Sequence, residues 1–165
     1  MKIAYKGEEI ILYDFEPLEA YNIARKLELE GINFYTIFAA HCDNKETKAA
    51  IEYLLLEERD HLRIFENKIV AFGGPFEEMS VADEVDTTVF GSFGESVDLI
   101  EIVKTKNKAI DSGILFEKRS ISFMESCLEK TVNSETREAF EDIIKEERRH
   151  IDILRGILSV GKVSS

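Results

Sequence analysis

Apolar positions recur at helical spacing over most of the chain, and three interruptions divide the pattern into four helices. The first is expected to start near Pro17, a residue suited to the first helical turn, with Glu16 and Glu19 beside it. It runs through ARKLELEGINFYTIFAA to about Cys42. DNKET then supplies a turn and an N-cap, and a second helix follows through AAIEYLLLEERDHLRIFENKIV. Residues 72–95 break the periodicity with Gly-Gly-Pro and a β-branched, acidic stretch, which reads as a long crossover with room for a short helix of its own. A third helix is expected within about 96–130, a turn at VNSET, and a fourth helix to about Leu158. Residues 1–14, with IILY, read as an extended arm, and GKVSS as a frayed tail.

The second half of the pattern repeats the first at an offset of 89 residues, without a gap. Glu28, Ile32 and Phe34 fall on Glu117, Ile121 and Phe123. Asn44, Glu46, Thr47 and Ala50 fall on Asn133, Glu135, Thr136 and Ala139. Glu57, Glu58, Arg59, His61 and Ile64 fall on Glu146, Glu147, Arg148, His150 and Ile153. One helical hairpin is used twice, at about 15–71 and 96–158, and two hairpins joined by a crossover make an all-α four-helix bundle. A single domain over residues 1–165 is therefore expected, long enough to bury a sizeable core.

Composition narrows the partners. Acidic residues outnumber basic ones 33 to 21, a net charge of −12, which repels nucleic-acid phosphates and anionic lipid headgroups. No apolar run is long enough to span a bilayer. The opening MKIAYKGEEIILYD mixes Lys and Glu too early for a signal peptide, and the two cysteines, Cys42 and Cys127, form neither a disulfide framework nor a cysteine zinc site. A reducing cytoplasm is the expected location. Surplus carboxylates are also what hard cations need, so it matters whether some of them converge.

Two E-x-x-H motifs, Glu58/His61 and Glu147/His150, each place both side chains on one helix face. The midpoint of Glu28 and Glu58 is residue 43, in the first turn, and that of Glu117 and Glu147 is residue 132, beside the second. In an antiparallel hairpin, residues equidistant from the turn lie at one height, here roughly 20 Å from it at 1.5 Å per residue. Packing the hairpins together brings four carboxylates and two imidazoles to one layer, flanked by Leu54, Leu55, Leu62 and Ile64 on the second helix and by Ile143, Ile144, Ile151 and Ile153 on the fourth. Polar groups among core residues are costly unless paired or bound to an ion, and four carboxylates forced together repel. Two divalent cations cancel the four charges, and mixed carboxylate and imidazole ligands suit iron or manganese.

On E-x-x-G-x-x-F-Y (Glu28, Gly31, Phe34, Tyr35), E-x-x-S-x-x-F (Glu117, Ser120, Phe123) and the EERDH and EERRH turns, the chain resembles the rubrerythrin family of the ferritin-like superfamily over about residues 15–158. The resemblance implies a non-haem centre of two iron ions, with manganese or a mixed pair fitting the same ligands, that uses O2 or hydrogen peroxide as oxidant in oxidative-stress defence. It implies that Glu58 and Glu147 bridge the metals and that Glu28, Glu117, His61 and His150 are terminal ligands. Members with an appended rubredoxin domain carry two C-x-x-C pairs, and this sequence has none. Electrons are therefore expected from a separate donor such as a rubredoxin-like protein, and a homodimer is the expected assembly. Ser120 stands one turn after Glu117, where a second, ligand-switching carboxylate would have to be.

Tyr35, seven residues after Glu28, is a candidate hydrogen-bond donor beside the ligands or a radical quencher; its counterpart in the repeat is Met124. Glu57 and Glu146 are rotated about 100° from the ligands beside them and are expected to form salt bridges with Lys or Arg. His41 reads as a helix-end surface histidine, and the cysteines as free thiols. Alternatives to peroxide or O2 chemistry are iron oxidation for storage, and a metal-binding bundle without turnover.

Overall fold

The structure, a computed structural model, describes residues 2–6, 9–13, 17–74, 99–131 and 133–160. Its helices are α1 (Pro17–Ala40), α2 (Lys45–Ala71), α3 (Leu99–Val103), α4 (Lys106–Lys130) and α5 (Ser134–Val160). They form an all-α bundle in which α1 packs on α2 and α4 on α5, with α1 also meeting α4 and α2 meeting α5. Ahead of the bundle, β1 (Lys2–Lys6) and β2 (Glu9–Tyr13) pair antiparallel, with Lys2 opposite Tyr13 and Lys6 opposite Glu9. The expected arm is thus a β-hairpin, and β2 runs beside α4.

The repeat is built into the packing stripes. On α2 the buried positions are Thr47, Ile51, Leu54, Glu58, His61, Phe65 and Ile69, each three or four residues after the last. On α5, Thr136, Phe140, Ile143, Glu147, His150 and Leu154 are buried at the same spacing. In each stripe the Glu and the His hold two consecutive places that apolar residues would otherwise take. Both stripes begin in the same way: Asn44 Oδ1 accepts from the Thr47 amide at 2.8 Å, and Asn133 Oδ1 accepts from the Thr136 amide at 2.9 Å. Each cap satisfies an amide that has no partner within its helix.

α2 stops where the sequence turns to glycine. Gly73, at φ +71°, donates to Val70 O, and Gly74 donates to Ile69 O, the pair of bonds that closes a helix through one left-handed residue. Most of the expected crossover lies outside the described residues. The third helical segment is broken at Lys104 and Thr105: Thr105 is extended (φ −111°, ψ 105°), so α3 and α4 are separate helices. The break lets Val103, buried, close the end of the bundle against α1 and α4.

The core falls into two apolar clusters. One contains Tyr21, Leu27, Phe65, Ile69, Phe123 and Phe140; the other contains Phe34, Phe38, Ile51, Leu54, Ile110 and Leu154. Along α2 the polar pair Glu58 and His61 separates members of the second cluster from members of the first, and along α1 Glu28 stands at the same boundary. A polar layer crosses the middle of the bundle.

Candidate metal centre

That layer contains all six residues singled out from the sequence. Glu28 comes from α1, Glu58 and His61 from α2, Glu117 from α4, and Glu147 and His150 from α5. Each is 1% exposed or less. Their ligand atoms form two groups, Glu28–Glu58–His61–Glu147 and Glu58–Glu117–Glu147–His150, each with all its atoms within 4.8 Å of one another. Glu58 and Glu147 belong to both groups.

The two imidazoles face inward through Nδ1. His61 Nδ1 is 3.7 Å from Glu28 Oε2 and 3.4 Å from Glu147 Oε1. His150 Nδ1 is 2.9 Å from Glu147 Oε2, 3.1 Å from Glu58 Oε1 and 3.5 Å from Glu117 Oε1. The rings lie stacked, 5.7 Å apart between centroids and 21° from parallel. Nine buried atoms of the six residues have no partner in hydrogen-bonding geometry: both oxygens of Glu28, Glu58 and Glu147, Oε2 of Glu117, and Nδ1 of each histidine. Orphaned buried carboxylate oxygens carry a large desolvation penalty, which a cation bound among them would offset. Four carboxylates balance two divalent cations, and the oxygen and nitrogen donors suit iron or manganese. The residues fit the group.

Proton affinities record the crowding. Burial first, and then the charge of Glu58, raise Glu28 well above the usual carboxylate range. Burial and then Glu147 push Glu58 up to about 7 and Glu117 up to about 8. Burial would also raise Glu147, but the imidazoles of His150 and His61 on either side overcome it and hold the group low. For His61, burial opposes the positive charge, yet Glu147 and Glu28 outweigh it and push the ring up to about 12. His150 is raised in the same way against burial, by Glu117, Glu147 and Glu58.

Tyr35 is fully buried, with its ring edge-on to Phe116, and its hydroxyl donates to Glu117 Oε1. Burial and then Glu117 keep the phenol well above its ordinary value, so it remains a donor. The small residues near the site have a packing reason. A Cβ on Gly31 would sit 2.8 Å from the Phe116 ring and 3.0 Å from Glu58 Oε2.

Glu57 and Glu146 do more than the sequence reading assigned them. His150 Nε2 meets Glu57 Oε2 at 3.1 Å, and His61 Nε2 meets Glu146 Oε2 at 2.7 Å. Because α2 and α5 run antiparallel, the residue before each layer Glu faces the histidine of the other hairpin. Glu57 also pairs with Arg149, as expected of a salt-bridging residue. The signal for the histidine contacts was the recurrence of both acids in the repeat. His41 is exposed, its Nδ1 2.9 Å from Ile37 O, and the two cysteines are free, with burial pushing Cys127 up to about 12. Among the described residues no helix is long and apolar enough to cross a membrane.

The family model described as Rubrerythrin matches residues 19–158, most of the chain. No curated protein and no solved structure matches it.

Proposed function

The chain belongs to the rubrerythrin family, and from that premise we propose that Glu28, Glu58, His61, Glu117, Glu147 and His150 hold two iron ions and that the protein reduces hydrogen peroxide, or handles O2, in oxidative-stress defence. The observation that carries the reading is the set of nine buried oxygen and nitrogen atoms without hydrogen-bond partners, gathered in one layer. Glu58 and Glu147, members of both groups of ligand atoms, would be shared between two bound ions, Glu28 with His61 would complete one site, and Glu117 with His150 the other.

Reduction of peroxide to two waters takes two electrons and two protons. Held by these six residues, two iron ions would supply the electrons, one from each Fe(II) going to Fe(III). The protein's part is geometric and electrostatic. The two apolar clusters above and below the layer exclude bulk water. Tyr35 fixes one oxygen of Glu117, and Glu57 and Glu146 fix the ring orientation of the histidines. A rubredoxin-like electron donor, a second copy of the chain in a homodimer, and a cytoplasmic location in which Cys42 and Cys127 stay reduced complete the reading.

Anaerobic loading with Fe(II) tests it. About two metals per chain are expected, and oxidation by peroxide should outpace oxidation by O2. Glu58→Ala and Glu147→Ala should each lose at least one metal; full occupancy in either variant would remove that residue from the ligand set. Equal rates with the two oxidants would overturn peroxide as the substrate while leaving the metal site standing.

A further inference from the structure

The two halves of the layer are held differently from outside. On the Glu117–His150 side, Glu57 Oε2 receives His150 Nε2, while its Oε1 receives the Tyr53 hydroxyl at 2.7 Å and the Arg149 guanidinium. Arg149 also donates to the Tyr53 oxygen at 2.9 Å and lies over the Tyr53 ring, 5.8 Å from its centroid. The Glu57 side chain is 18% exposed. On the same side Tyr35 donates to Glu117 Oε1.

On the Glu28–His61 side, Glu146 is 46% exposed, and the one hydrogen bond its carboxylate makes among the described residues is with His61. Both oxygens of Glu28 lack a partner in hydrogen-bonding geometry. The repeat explains the difference. The positions equivalent to Tyr53 and Arg149 are Asp142 and Asp60, which cannot donate to a carboxylate when ionised. Each is instead paired along its own helix, Asp142 with Lys145 at 2.7 Å and Asp60 with Arg63 at 3.0 Å.

We infer that the halves are unequal as binding sites: Glu57, clamped by Tyr53 and Arg149, positions His150 so that the Glu117–His150 half takes and keeps a divalent cation first, and the Glu28–His61 half, whose His61 Nε2 is braced among the described residues by Glu146, is the exchangeable one. The inference rests on the two-metal reading above. An acceptor already fixed by two donors holds the imidazole in its binding orientation before the metal arrives, so less ordering entropy is lost on binding. An exposed carboxylate with one partner must be ordered by the binding itself.

Titration of the chelator-treated full chain with Co(II), followed by its visible absorption bands, separates this from the parent reading. Two equivalents are expected to bind in two steps, the first roughly 10-fold or more tighter. Glu57→Gln should weaken the first step by about 10- to 100-fold and leave the second in place, so that the steps merge. Glu146→Gln should weaken only the second. Arg149→Met, a surface change that leaves every ligand intact, should reproduce part of the Glu57→Gln effect, and Arg149→Lys should restore some of it. Two bound equivalents with indistinguishable affinities, or the same step weakened by Glu57→Gln and Glu146→Gln, would overturn the inference and leave the two-metal site standing. Fewer than two equivalents in the unaltered protein would overturn both.

Discussion

Glu28, Glu58 and Glu117 all sit where a negative charge is hard to keep, and their proton affinities turn that into a pH dependence. Burial and neighbouring carboxylates raise Glu58 from 4.5 to about 7 and Glu117 from 4.5 to about 8. A group raised on folding contributes stability that is complete below its unfolded value and is lost as pH rises through its folded value. His61, raised from 6.5 to about 12, acts in the same direction at higher pH, whereas the lowered Glu147 matters only in acid. The chelated protein is therefore expected to lose roughly 10 °C or more of melting temperature between about pH 5 and pH 8. Cations bind the deprotonated ligands, so the gap between metal-loaded and chelated melts should widen over that range. Thermal scans of both forms check this, and a chelated melt that rises with pH would contradict it. Tyr35→Phe should cost about 1–2 kcal/mol by removing the donor to Glu117 and leave the metal count unchanged, measured by denaturant unfolding and metal analysis. At this scale the sequence was most informative. The six layer residues recur at one offset and flank the turns at equal distance, so their convergence could be read without coordinates. The outer clamp could not, because Tyr53 and Arg149 have no counterparts in the repeat that would draw attention to them.

Helices α2 and α5 were legible because each carries a clean buried stripe started by an Asn cap. Asn133→Ala should destabilise the protein by about 1 kcal/mol, seen as a drop of about 2–4 °C in melting temperature. The contact between α1 and α4 sets up a contest of two effects at Gly31. Alanine is favoured over glycine inside a helix by about 1 kcal/mol. Against that, the added methyl would lie 2.8 Å from the Phe116 ring, and overpacking costs about 1–3 kcal/mol. Gly31→Ala is expected to be net destabilising and to weaken metal binding through Glu58, whose Oε2 is 3.0 Å from the same point; a stabilised variant with full metal affinity would refute it. What the pattern did not give were the elements too short to show a period. α3 is 5 residues long, and each strand of the N-terminal hairpin is also 5 residues long. The break at Thr105 depends on how Val103 closes the end of the core, a tertiary effect with no local signature.

Across the whole molecule, a charged layer divides one core into two. Removing one partner of such a cluster strands the others, but replacing the entire set with apolar residues of similar volume is often neutral or stabilising, by about 1–4 kcal/mol. A variant with all six residues changed to Leu or Met should thus unfold at higher denaturant than the chelated protein while binding no metal. Metal loading of the natural protein should recover the deficit, since a ligand at about 100 times its Kd adds about 2.7 kcal/mol. Overall architecture was readable because the 89-residue repeat fixes two like hairpins. The duplication has a further meaning for ancestry. A lone hairpin carrying Glu, Glu-x-x-His could complete such a layer only by pairing with an identical copy across a twofold axis, and that symmetry obliges both metal positions to be the same. Fusing two copies in one chain lifts the obligation. Tyr53 could then diverge from Asp142, and Arg149 from Asp60, so that the two halves of the layer need no longer be held alike.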